Sequence, residues 1–88
     1  MAKKIEERHS FAIEGLSHAL EGKIIQTNEV EHLPYELVVS HFCKPFDGAV
    51  NVHKPSRTHT ETIEQARSEF ESYASHFKVI GVESNPNF

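Results

Sequence analysis

Apolar side chains recur every three or four residues along Thr58–Phe77: Ile63, Ala66, Phe70, Tyr73 or Ala74, and Phe77. That spacing lays them along one side of an α-helix and leaves Glu61, Glu64, Arg67, Glu69 and Glu71 mostly on the other. Thr58 with Glu61 three residues on has the form of a capping box, and Glu61 and Glu64 stand where the helix dipole favours negative charge. The pattern predicts a helix over Thr58–Phe77. A first helix over Lys3–Glu21 follows from Ile5, His9, Ala12, Ile13, Leu16, Ala19 and Leu20, which fall within about 120° of arc. Gly22 then takes the position after the helix end. Gly15 inside that pattern, and Phe11 off its stripe, leave a short strand at Phe11–Ile13 as the alternative.

Between the two helical patterns the period changes to two. Lys23–Asn28 reads as a short strand and Glu29–Pro34 as a connection. Tyr35–Cys43 reads as the strongest strand, being rich in β-branched and aromatic residues. It is apolar on both faces: Tyr35, Leu37, Val39 and Cys43 on one, Val38 and Phe42 on the other. Lys44–Gly48 is a turn, Ala49–His53 its return strand, and Lys54–Arg57 a break at Pro55. Lys78–Glu83 is a last strand.

The expected architecture is a two-layer α+β domain, in the order α-β-β-β-α-β. A small antiparallel sheet of three to four strands carries two helices packed on one face. Residues 1–83 form this single domain and residues 84–88, Ser84–Phe88, a flexible tail. The run of helix, three strands and helix resembles double-stranded-RNA-binding domains in element order. Where those domains carry a lysine-rich start to their last helix, this chain reads Thr60-Glu61-Thr62-Ile63-Glu64, so their function is not carried over.

Composition narrows the functional classes. Eighty-eight residues allow one modest core, burying roughly 60–65% of the unfolded surface, with stability on the order of 5 kcal/mol. A net charge of −4 opposes a surface built to neutralise phosphates. The small basic groups Lys3, Lys4, Arg8 and Lys54, Arg57 keep nucleic-acid binding only as an alternative. One cysteine, Cys43, and no apolar run of membrane-spanning length point to the reducing cytoplasm, with no membrane partner. Seven histidines are unusual for this length, and their full protonation moves the charge from −4 to +3, which makes a histidine-based metal- or pH-responsive domain another alternative.

Pairing Cys43 with Ala49 across the turn brings His41, Cys43, Asn51 and His53 onto one face. Two imidazoles and a thiolate there are candidate ligands for Zn²⁺. Cys43 with His41 also has the residue types of a nucleophile and its base, without an oxyanion donor to complete them. His53 and His59, with Lys54 and Arg57, flank a loop that can meet an anion at a helix start. If both helices cover the Val38, Phe42, Val50 and Val52 side, the opposite side exposes Tyr35, Leu37, Val39 and His41 as a contact strip. Glu64 and Glu71, with Glu61 and Glu69, form an acidic helix face for a basic partner. The expectation is a small, acidic, non-catalytic interaction module with no cofactor. It binds a protein partner, or a second copy, through its sheet face or its acidic helix.

Overall fold

The computed structural model describes residues 4–88; Lys3, the expected start of the first helix and part of one basic group, lies outside them. Among the described residues there are six strands and one helix. The strands are β1 (Lys4–Phe11), β2 (Leu20–Gln26), β3 (Tyr35–Val39), β4 (His41–Phe42), β5 (His59–Thr60) and β6 (Glu83–Ser84), and the helix α1 is Ile63–Ser75. One antiparallel sheet has the order β1-β2-β3-β5, and a second, two-stranded sheet joins β4 to β6. The expectation of two helices on one face is therefore corrected. The chain is mostly antiparallel sheet with a single helix, and the likeness in element order to double-stranded-RNA-binding domains goes with the missing helix.

The stretch expected to form the first helix is a β-hairpin. β1 pairs with β2 from Lys4↔Gln26 to Phe11↔Leu20, with a register shift between Ile5 and Glu7. Two glycines account for this. Gly15 adopts φ +89 in the connection, a conformation no α-helix interior contains. Gly22 is not a helix stop but lies inside β2, where a Cβ would sit 2.8 Å from the ring carbons of Phe70. The glycine lets sheet and helix close together at that point.

The helix covers the side of the sheet carrying Leu20, Ile24, Leu37 and Val39. These four pack with Ala66, Phe70, Tyr73, Ala74 and Phe77 of the helical stretch, and with Cys43. The ring of Phe11 meets Phe70 edge-on at 5.2 Å between centroids. On the same side of β1, Glu7 takes two hydrogen bonds from Arg67 of α1. The charge that looked solvent-facing on the helix is thus an anchor for the hairpin.

α1 starts later than the spacing predicts. Its N-cap is Thr62, whose hydroxyl accepts from the Gln65 N–H at 3.2 Å, while Gln65 Oε1 reaches back to the N–H of Glu61 at 3.0 Å. This is the reciprocal logic of a capping box, moved four residues along from Thr58. Thr58 instead gives its carbonyl to Leu37 N–H at 2.7 Å, and Thr60, 1% exposed, pairs with Tyr35. Sheet pairing has claimed the residues that local propensity assigned to the helix.

β3 stops at Ser40, where the chain changes sheets. Ser40 is buried and its groups are used four ways. Its N–H donates to Glu21 O, its carbonyl accepts from Asn85 N–H, its hydroxyl accepts from Glu21 N–H, and that hydroxyl also meets His41 Nδ1. The expected return strand Ala49–His53 reduces to one bridge, Cys43↔His53, so the register anticipated from Cys43↔Ala49 is not adopted. No helix of the described residues is long and apolar enough to cross a membrane.

Candidate functional site

Alternation along β1, β2, β3 and β5 generates a second sheet face opposite α1. Residues directly opposite in neighbouring strands share a face, so the pairings Ile5↔Ile25, Ile25↔Glu36 and Glu36↔His59 draw one row across all four strands. The next row is Arg8, Lys23 and Val38. The face is therefore apolar at Ile5, Ile25 and Val38, cationic at Arg8 and Lys23, and carries a carboxylate beside an imidazole at its β3–β5 edge. Ile25 is 6% exposed and Ile5 46%, so cover over this face is uneven.

The cover includes the last residues of the chain. Asn85 donates from its N–H to Ser40 O and from Nδ2 to Val39 O, each at 2.8 Å. Asn85-Pro86-Asn87-Phe88 closes a turn through Phe88 N–H to Asn85 O at 3.1 Å, with proline where its fixed φ suits a turn. Phe88 is held by both cations of the face. Lys23 Nζ donates to its carbonyl and stands 4.7 Å from its ring centroid, and Arg8 lies 5.9 Å from the same ring. Residues 85–88 thus strap one side of the face.

A cleft of about 860 Å³ remains. Ile5, Ile25 and Val38 contribute apolar surface, Phe42, Lys54 and Pro55 come from the β4–β5 region, and Asn85–Asn87 stand along the strap. Lys54 lies over the Phe42 ring at 5.5 Å. The site has the mixed character of binding clefts generally: apolar contact area with a few charged groups able to fix orientation. A smaller pocket of about 410 Å³ lies between α1 and the 45–56 stretch, with His53, Tyr73, His76 and Lys78 in its lining.

The residues expected to form a contact strip sit elsewhere. Leu37 and Val39 are each 2% exposed, beneath α1, and Tyr35 is half-buried; which side the helix covers is the reverse of the expectation. Hydrophobicity alone did not decide between two apolar faces of one strand. His41 is half-buried and packs against His18 at 4.4 Å between ring centroids. Burial, then the adjacent His18, pushes its pKa below the ordinary imidazole value. Glu64 and Glu71 are exposed on α1. Glu69 is not a loose acid: it accepts from Ser56 Oγ and Arg57 N–H, tying the preceding loop to the helix.

Of the expected ligand set, Cys43 and His53 are bridge partners, but the donor atoms of His41, Cys43 and His53 do not converge as a group among the described residues. Cys43 is buried and its sulfur accepts from Lys78 N–H at 3.4 Å. His53 is exposed and stacks on Tyr73 at 5.4 Å, whose hydroxyl donates to His53 O at 2.7 Å. Burial raises the pKa of that tyrosine. Among the described residues the grouping that does form is Glu29, Glu36 and His59. No spacing motif announces it, because it depends on β3–β5 pairing.

Comparison with protein-family models, curated proteins and solved structures finds no match to this chain.

Proposed function

We propose that this protein is a non-catalytic binding module that takes an extended peptide segment of a protein partner into the cleft on its second sheet face. The observation that carries the reading is the cleft itself, apolar along Ile25 and Val38 and bordered by Lys23 and Lys54. The chain's own residues 85–88 illustrate how a peptide lies there. They use hydrogen bonds to carbonyls of Val39 and Ser40 and place an aromatic ring beside two cations. A partner segment with an apolar side chain for Val38 and a carboxylate for Lys54 matches the same chemistry. The acidic helix residues Glu64 and Glu71 supply a competing surface. A cytoplasmic setting belongs to the same reading, supported by a single cysteine that is buried and free.

The test is selection of short peptides from a random library on the full chain, then calorimetry with wild type, Val38→Arg and Glu64→Arg. At least a tenfold loss in Val38→Arg, with Glu64→Arg unchanged, supports the cleft. Selection of no peptide, or equal binding by Val38→Arg, overturns it. Loss in Glu64→Arg alone moves the contact to the acidic helix and also overturns it.

A further inference from the structure

We infer that Glu29, Glu36 and His59 form a binding site for a divalent transition-metal cation of the zinc type. The three come from separate stretches that the fold brings together. Glu36 and His59 are direct cross-strand partners in β3 and β5, and Glu29 belongs to the β2–β3 connection. One donor atom from each lies within 4.8 Å of the other two.

The spacing of the cross-strand pair is the informative one. His59 Nε2 stands 3.9 Å from Glu36 Oε2. That is too long for a hydrogen bond. It is within the span of two ligands on one ion, which is at most about 4.2 Å for bonds near 2.1 Å. His59 Nε2 is buried and has no hydrogen-bond partner, although it faces this carboxylate. The other ring nitrogen is engaged: Nδ1 lies 3.2 Å from Thr58 Oγ1. With Nδ1–H donating to that hydroxyl, Nε2 carries the lone pair a cation needs, the outer-sphere arrangement typical of metal-bound histidine. Glu29 is oriented too, since its Oε1 accepts from Thr27 Oγ1 at 3.0 Å.

One imidazole nitrogen and two carboxylate oxygens favour zinc and its neighbours over Mg²⁺ and Ca²⁺, which prefer oxygen alone. Three protein ligands, one of them exposed, leave further positions open to water or to an anionic group. Glu36 borders the cleft, but the site needs only these side chains and does not rest on the peptide reading.

Zinc chloride is titrated into the metal-free full chain by calorimetry, and Co²⁺ is followed by visible absorption. Glu29→Gln, His59→Gln and, as a control at another histidine, His41→Gln are measured beside wild type. The inference expects one equivalent of Zn²⁺, at least tenfold weaker binding in Glu29→Gln and His59→Gln, no change in His41→Gln, and no heat with MgCl₂. Glu29 is exposed, so its variant decides the matter even if His59→Gln does not fold. Absence of stoichiometric Zn²⁺ in wild type, or undiminished affinity in Glu29→Gln, overturns the site.

Discussion

The two faces of the main sheet are made from alternate residues of the same strands, yet they are used differently. On the α1 side, Leu20, Ile24, Leu37 and Val39 are almost fully buried against Phe70 and its neighbours. On the other, apolar residues alternate with Arg8, Lys23, Glu36 and His59, and a strap of four residues gives partial cover. A helix supplies a continuous apolar stripe and seals one face. An irregular strap held by a few hydrogen bonds leaves room on the other. Under the proposed function, stability and recognition are separated across a single sheet, and substitutions on the second face leave the core in place.

The comparison breaks most visibly at Phe70. Phe70→Ala removes the ring that contacts Gly22 and Phe11 and is expected to cost about 3–5 kcal/mol. That is most of the stability of a domain this size. Urea unfolding should show the variant largely unfolded, whereas Val38→Ala on the second face should cost about 1 kcal/mol or less. Equal losses would mean that both faces are core.

A smaller effect tests the strap. Asn85→Ala deletes the donor to Val39 O and should cost about 1 kcal/mol. Hydrogen exchange should quicken in β4 and β6 while β2 and β3 stay protected, because the strap is loosened and the core is not. Uniform quickening would merge the two regions into one cooperative unit.

The smallest effect concerns the ion pair on the covered side. The Arg67 hydrogen bonds, then His9, lower the Glu7 pKa from an ordinary 4.5 to about 2. A lowered carboxyl pKa adds stability that is complete above about pH 4.5 and disappears as pH falls toward 2. Arg67→Gln should flatten the stability curve in that window, with a modest change because the pair is solvated and salt-screened. An unchanged acid limb would show that the pair contributes nothing.

What the sequence revealed follows from which signals are local. The stripe Ala66, Phe70, Tyr73, Ala74 and Phe77 was legible because one helix face was buried against one sheet. Its start was not, since Thr58 and Thr62 can both cap and only pairing of Thr60 with Tyr35 chooses between them. β1 was missed because its helix-facing residues include Glu7 and His9, polar side chains satisfied by Arg67 and by each other. Alternation of hydrophobicity is blind to a polar face with a distant partner. Leu37 and Val38 are both apolar, so nothing in β3 said which the helix would cover. Glu29, Glu36 and His59 meet only once β3 and β5 are paired.

Those adjacent residues of β3 also provide the most direct measurement. Leu37→Lys and Val38→Lys place the same charge one residue apart, on opposite faces of one strand. Circular dichroism and urea unfolding of the two variants should find Leu37→Lys unfolded, because a lysine cannot be buried beneath α1 without a partner. Val38→Lys should stay folded with stability close to wild type. A folded Leu37→Lys beside an unfolded Val38→Lys would contradict the assignment of a sealed face and a partly open one.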